Sequence, residues 1–311
     1  MIVAAVWDGR TLPETLGAAL RLAGAVGTEV ALVSLGDTEA AAEGGRHGAS
    51  RVFVVEGELA VSGAESTVTV LADLVSELGA RAVLLPGDDR TAEIAPRLAE
   101  RLGGTAVTQT LSVDVEDNRL VWTRAAYGGK ALATVSATAE PVVAALRRGA
   151  FAAAEPSGTS VAVESRTVPA GDGAVELLAR EAPAAAASLE DAKVIVSGGA
   201  GIGAGEGFGE LEELAGLLGG AVGASLAAVD AGWAPADRQV GLTGKVVSPD
   251  VYFALGISGA SQHLAGIGGA KAVVAVNTDA EAPIFAAARL GVVMDCHTFV
   301  RSMIEQLRSP Q

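Results

Sequence analysis

Cysteine is almost absent. Cys296 is the one example in 311 residues, which excludes an intramolecular disulfide framework and fits a reducing compartment. Histidine is nearly as scarce: His47, His263 and His297 form no short-spaced ligand pair, so a metal centre is not expected at the heart of the function. Aromatic residues reach only 4% of the chain. Basic residues are outnumbered, with 22 Lys and Arg against 37 Asp and Glu and a formal net charge of −15. That balance disfavours nucleic acid and anionic membrane surfaces as main partners. No apolar run of about 18 residues occurs, so no membrane span is expected. The first eight residues have no basic stretch ahead of their apolar run and do not read as a secretory leader. A soluble, cytoplasmic protein is the expectation.

Core-forming residues are plentiful. The apolar share is 50%, which excludes disorder through lack of a core, and the length suggests about two domains at about 150 residues each. Glycine supplies 40 residues, about double the average usage, which predicts many tight turns or close backbone–ligand approaches. The first half alternates short apolar runs (2–7, 29–35, 51–55, 82–85) with amphipathic stretches (12–25, 68–78, 94–102). That alternation is the signature of a parallel sheet covered by helices. Segments 107–115, 120–124, 131–137 and 142–146 follow with no helix between them and predict an antiparallel extension. Residues 152–190, rich in Ala, Pro, Gly, Ser and Glu, read as a crossing segment, with a boundary just after Ser188. A second α/β pattern then begins: strands at 193–196, 252–255, 273–276 and 292–294, and helices at 208–218, 284–290 and 298–307. The expected division is residues 1–151, a linking segment 152–190, and a smaller doubly wound α/β domain over 191–311.

The strand at 193–196 runs into Ser197-Gly198-Gly199-Ala200-Gly201-Ile202-Gly203-Ala204-Gly205. Strand, glycine-rich turn and helix is how an α/β sheet offers backbone N–H groups to a phosphate. Gly199, Gly201 and Gly203 can let a ligand approach, although a plain tight turn explains them equally well. No Gly-Lys-Ser/Thr follows, so this is not a Walker loop, and the dinucleotide fingerprint is imperfect. Small residues and single polar side chains recur at 223–232, 239–245, 256–266 and 275–279, at or just beyond predicted strand ends, where open α/β sheets bind ligands. Ser258, Asn277 and Asp279 are also ordinary helix N-cap types. Four such turns in one small domain favour a long nucleotide ligand. Cys296 beside His297 could be a reactive thiol, although a small buried residue is the commoner reading. Trp233 and Tyr252 could stack on a cofactor or simply pack.

These segments together resemble the α subunit of electron transfer flavoprotein. The resemblance runs through Ala-Val-Gly-Ala-Ser (221–225), Ala-Ala-Val-Asp-Ala-Gly (227–232), Gln-Val-Gly-Leu-Thr-Gly-Lys (239–245), Gly-Ile-Ser-Gly-Ala-Ser-Gln-His-Leu-Ala-Gly (256–266) and Ala-Pro-Ile-Phe (282–285). It is weaker at Ala95–Ala99, at Thr123–Lys130 and at 141–151. It implies FAD in the C-terminal domain, a heterodimer with a β subunit, and electron relay from a dehydrogenase to an acceptor oxidoreductase, with no catalytic acid, base or nucleophile. It also implies roles by position. Thr243 would set its hydroxyl near flavin N5, and His263 would sit at the pyrimidine edge as a positive or donating group. Ser258, Gly259 and Gln262 would line the ribityl and phosphate region. Val240 and Gly241 would offer backbone to the isoalloxazine, and Asn277, Asp279 and Asp295 would face the adenosine half. Gly199, Ser225, Leu226, Leu242, Ile257, Thr278 and Cys296 complete the expected lining.

Three positions depart from the pattern: Ala200 and Leu226 stand where the family usually has Arg, and Leu242 where it has Gln. Fewer cations near a reduced flavin imply a lower potential or a less stable one-electron form, unless another Arg or Lys compensates. Weakened FAD binding would leave a flavin-less paralogue acting as an interaction subunit. An NAD-dependent enzyme using the glycine-rich turn ranks last, for want of clustered acid/base candidates. High Ala, Gly and Val content resembles actinobacterial members, including a subgroup associated with mycofactocin-dependent dehydrogenases.

Overall fold

The computed structural model describes residues 1–57, 63–127, 131–158, 160–168 and 189–309. The chain forms two compact units, one within residues 1–181 and one dominated by residues 182–311. Gly128-Gly129-Lys130 of the Thr123–Lys130 motif, Pro169-Ala170-Gly171, the alanine run 184–187 and the boundary after Ser188 lie outside the described residues.

In the first unit the chain runs β1 (Ile2–Val6), α1 (Leu12–Val26), β2 (Val30–Leu35), α2 (Thr38–Arg46), β3 (Arg51–Glu56), α3 (Gly63–Leu78), β4 (Ala82–Leu85), α4 (Asp89–Leu102), β5 (Thr105–Glu116), β6 (Arg119–Ala126), β7 (Ala131–Ser136), β8 (Val142–Leu146) and β9 (Val163–Thr167). The strands make a nine-stranded sheet in the order β7-β6-β5-β8-β4-β1-β2-β3-β9. Every residue of β1, β2 and β8 is buried, as expected for parallel strands covered on both faces. α1 and α2 cover one face and α3 and α4 the other. β5, β6 and β7 are antiparallel, so a mostly parallel sheet with an antiparallel extension is what the chain forms. Residues 142–146 do not belong to that extension. β8 inserts between β4 and β5, parallel to both, because an unbroken apolar run needs cover on two faces and finds it only inside the sheet.

Helix α2 has no clear signal in the sequence. Its two glycines weaken helix propensity, but a Cβ on Gly44 would lie 1.9 Å from Leu32 Cδ2. The helix therefore sits close to the sheet only because that position has no side chain. Asp37 caps it by accepting from Ala40 N at 2.9 Å. β9 falls within the stretch read as a crossing segment. It adds to the sheet beside β3, where Arg51 holds Glu164 at 2.9 Å.

The second unit runs β10 (Val194–Gly198), α5 (Phe208–Leu217), β11 (Ala221–Ala224), α6 (Leu226–Asp230), β12 (Val251–Leu255), α7 (Ser261–Ile267), β13 (Ala272–Asn277), β14 (Leu290–Val293) and α8 (Cys296–Arg308). Its five strands are all parallel, in the order β11-β10-β12-β13-β14. α5 and α8 pack on one face; α7 and the 239–247 segment pack on the other, so the unit is doubly wound. The helix expected over 284–290 does not form. Pro283–Ala287 makes a 3-10 turn, Ala288 is extended, and the chain enters β14 at Leu290. The local alanine content favours helix, but Ile284 N donates to Ser258 O at 3.0 Å and β14 pairs with β13 from Leu290 onward, which leaves no length for further turns.

Candidate cofactor site at the carboxyl edge of the second sheet

Because all five strands are parallel, every strand ends at the same edge. That geometry alone gathers Gly199 after β10, Ser225 and Leu226 after β11, Ile257–Gly259 after β12, Thr278 and Asp279 after β13, and Asp295 after β14. The order reverses beside β10, which has β11 on one side and β12 on the other, the kind of switch point at which α/β sheets hold ligands.

The crevice at that point is filled by the protein's own backbone. A Cβ on Gly199 would lie 2.3 Å from Gly256 O, and one on Gly201 would lie 2.7 Å from Gly256 Cα. Gly199 N donates to Leu255 O and Gly201 N to Gly256 O, both at 2.9 Å. Gly199 and Gly201 therefore let two loops touch; they are not what brings a ligand close. Gly203, at φ 76 with open space around it, serves only the turn.

The open part of the edge is the 239–245 loop beside α7. Val240 N donates to Ala224 O at 2.9 Å, Lys245 N to Gln239 O at 2.7 Å, and Leu242 N to Gln262 O at 2.7 Å. A Cβ on Gly266 would come within 2.5 Å of Gly241, so α7 and the loop touch backbone to backbone. This anchoring buries Val240 and Gly241 and turns Leu242, 57% exposed, and Thr243 outward. Leu226, Ser258, Gln262 and Thr278 are also exposed. Gln239 belongs to the 239–245 motif but carries no expected role from sequence. It is buried, and its Nε2 donates to Thr243 Oγ1 at 3.0 Å.

His263 is 6% exposed, and its Nε2 meets Tyr252 Oη at 3.0 Å. Tyr252 is thus a packed residue whose hydroxyl serves the imidazole, and it does not stack on the edge. Burial lowers the His263 pKa to about 4, and the Val240 backbone pulls the other way without offsetting it. Burial also drives the Tyr252 phenol up, so it keeps its proton. Burial therefore favours the neutral imidazole at physiological pH, which acts as a hydrogen-bonding group. Among the described residues its Nδ1 has no hydrogen-bond partner of ordinary geometry.

Several expected lining residues hold the loops. Ser225 caps α6 through Ala228 N at 3.4 Å. Asn277 Nδ2 donates to Ile257 O at 3.0 Å, and its Oδ1 accepts from Asp279 N at 3.0 Å. Gly259, at φ 88, lies against the backbone of Ile284. Asp295 caps α8 through Thr298 N at 2.9 Å. Cys296 is buried, its Sγ donates to Gly201 O at 3.5 Å, and burial pushes its thiol pKa up, which disfavours the reactive thiolate.

His297 turns away from Cys296. Its Nδ1 meets Glu210 Oε2 at 2.9 Å and its Nε2 meets Ile202 O at 3.1 Å, an arrangement only an imidazolium satisfies at both nitrogens. The Glu210 bond, then the Ile202 carbonyl, raises the His297 pKa. Burial works to raise the Glu210 pKa, but His297 and Arg301 together bring it below the ordinary value. A raised imidazole pKa stabilises the fold fully below the unfolded value of about 6.5, and that stability is lost as pH rises through the folded value. The Glu210 contribution is present above about 4.5 and lost on acidification. His297→Gln is expected to cost about 1 kcal/mol at pH 6 and less at pH 9, read from thermal melts at both values. An equal cost at the two values would contradict the pairing.

Residues 12–171 match the electron transfer flavoprotein domain, and residues 188–268 match the electron transfer flavoprotein FAD-binding domain. The chain belongs to the electron transfer flavoprotein α-subunit family. It is 38% identical to the electron transfer flavoprotein subunit alpha of Syntrophomonas wolfei over 91% of this chain and 90% of that one. It is 37% identical to the Clostridium acetobutylicum subunit over 95% and 92%, and 44% identical to that of Mycobacterium leprae over 80% and 78%.

The cofactor is FAD, and the donor set fits it. An outward hydroxyl at Thr243, further polar groups at Ser258 and Gln262, and an unpartnered Nδ1 on buried His263 are neutral hydrogen-bonding groups suited to a flavin edge and a sugar-phosphate chain. Among the described residues no helix is long and apolar enough to cross a membrane.

Proposed function

We propose that this chain is the FAD-carrying subunit of a cytoplasmic heterodimer with a β subunit, taking electrons from a dehydrogenase and passing them to an acceptor oxidoreductase. Residues 1–151 serve as the partner-binding domain, residues 152–190 as the connection, and residues 191–311 as the FAD domain. The observation that carries the reading is Thr243, held outward on an anchored loop at an open sheet edge with its oxygen already engaged by Gln239.

FAD bound there supplies one- and two-electron redox chemistry. The chain's residues bind and tune it. Thr243 donates toward flavin N5, and Val240 and Gly241 offer backbone to the isoalloxazine. Neutral His263 donates at the pyrimidine edge. A donor aimed where electron density is added favours the reduced cofactor. Ser258 and Gln262 take the ribityl and phosphate region, while Thr278 and Asp279 lie toward the adenosine half. Leu226 and Leu242 flank the flavin with apolar surface. Gly199, Ser225, Ile257, Gly259, Asn277, Asp295 and Cys296 shape the loops around it. An edge left open, where a closed cavity would shut it in, lets a second protein reach the flavin.

Co-expression with the β subunit tests the reading. The expected product is a yellow heterodimer whose extracted cofactor is FAD and whose flavin bands bleach when a donor dehydrogenase and its substrate are added. A colourless stoichiometric complex, or a flavin that no dehydrogenase reduces, overturns it.

A further inference from the structure

The loop from Gln239 to Lys245 folds back on the Gln239 side chain. A Cβ on Gly244 would lie 2.8 Å from Gln239 Cγ and 2.5 Å from Gln239 O. Lys245 N donates to Gln239 O at 2.7 Å, and Gln239 N donates to Ala236 O at 3.1 Å. The stem is therefore fixed at both ends and buried, 8% exposed. From this position the amide reaches Thr243 Oγ1 at 3.0 Å.

A threonine hydroxyl has one proton to give and two lone pairs to receive. An amide N–H that fills the acceptor side restricts where the proton can point. Inside the loop two carbonyls already accept, Gly241 O from Gly244 N at 3.2 Å and Lys245 O from Gly241 N at 3.1 Å, and among the described residues no bond from the Thr243 hydroxyl to a loop carbonyl forms. Thr243 is exposed, so its proton is free to meet an acceptor outside the loop.

We propose that Gln239 is a positioning residue: its buried amide occupies the oxygen of Thr243 and so commits the Thr243 proton to the flavin N5. The inference rests on the reading of Thr243 given above and adds the residue that orients it. The residue type matters. A glutamate carboxylate only accepts and would draw the proton inward, a methionine makes neither bond, and an asparagine is one methylene short.

The test is a double-mutant cycle in the αβ heterodimer loaded with FAD. Gln239→Met and Gln239→Glu are each made with Thr243 intact and with Thr243→Val. The readouts are the flavin midpoint potential from reductive titration against a dye, and the FAD content per heterodimer. With Thr243 intact, Gln239→Met is expected to weaken uptake of the first electron, while N5 is still an acceptor, about tenfold, close to the worth of one oriented hydrogen bond, which is about 59 mV for a one-electron couple. Gln239→Glu is expected to lower the potential further. In the Thr243→Val background, Gln239→Met is expected to change nothing, and Gln239→Glu to keep only the effect of its charge. FAD content is read in every variant, and the potentials are compared on the flavin-loaded heterodimers. An unchanged potential in Gln239→Met, or the same drop in both backgrounds, overturns the positioning role. If Thr243→Val alone leaves the potential unmoved while FAD is bound, the placement of Thr243 beside N5 fails, and this inference falls with it.

Discussion

Gly259→Ala is expected to release FAD on desalting and to destabilise the second unit by about 3 kcal/mol, the sum of two effects. At φ 88 an alanine occupies left-handed backbone, at a cost of roughly 1–2 kcal/mol. The new Cβ would also lie 2.2 Å from Ile284 N and 2.6 Å from Ile284 Cα, and relieving such an overlap costs roughly 1–3 kcal/mol. Relief requires the β12 loop to move off the Pro283–Ala287 turn, which breaks the Ile284 N to Ser258 O bond and shifts the Ser258 loop at the cofactor edge. Gly203→Ala is the control. Its φ of 76 is similar, but nothing lies within 4 Å of where its methyl would stand. It should therefore cost only the backbone part, about 1 kcal/mol, and keep its flavin. Thermal melts and flavin-to-protein ratios after desalting separate the two. Equal behaviour of the variants would show that the contact with Ile284 carries no weight.

Leu226→Arg is expected to raise the flavin potential by about 30 mV, a tenfold shift of the two-electron equilibrium. Leu226 begins α6 directly after Ser225 and is 46% exposed, on the edge that also carries Leu242. A cation about 4 Å from a reduced flavin is worth up to about 4 kcal/mol at an effective dielectric near 20, and solvent at an exposed position screens most of that. What survives favours the reduced, more negative cofactor. The nearby cations Arg238 and Lys245 already face carboxylates, at 2.7 Å from Glu212 and 3.5 Å from Glu190, so neither is a free substitute. The gain should shrink as ionic strength rises and the Debye length shortens. Leu226→Gln should show no salt-dependent shift. Reductive titrations at two salt concentrations check both, and an arginine variant indistinguishable from the glutamine variant would remove position 226 from the flavin's surroundings.

Most of the architecture is legible along the chain because it is written in local periodicity. Short apolar runs such as 2–7 and 29–35 become central strands, and the helical patterns over 12–25 and 208–218 become α1 and α5. Polar and glycine-rich strand ends point to one edge of the second sheet, and parallel pairing brings them there. Where expectation and structure part, distant neighbours overrule a local signal. Residues 142–146 look like one more strand of the antiparallel group and become a buried parallel strand, because only the middle of the sheet can cover them. Residues 284–290 favour helix and are held to a 3-10 turn by Ser258 and by the pairing of β14.

The site divides in the same way. The kinds of residue at the edge, their spacing and the family they resemble follow from the order of amino acids. The state of each group does not. His263 reads as a cation or a donor from its motif, and only its burial against Tyr252 makes it neutral. Gly199 and Gly201 read equally well as a phosphate cradle or a tight turn, and only the approach of Gly256, more than fifty positions away, shows that their bare Cα atoms serve loop packing. Gln239 gains its part from a neighbour four residues on whose hydroxyl it can orient only once the loop has closed. Periodicity and turn chemistry act over a few residues. Desolvation, steric exclusion and hydrogen-bond direction depend on whatever the fold brings within a few ångströms, whether four residues on, as Thr243 is from Gln239, or in another loop of the sheet edge, as Gly256 is from Gly199.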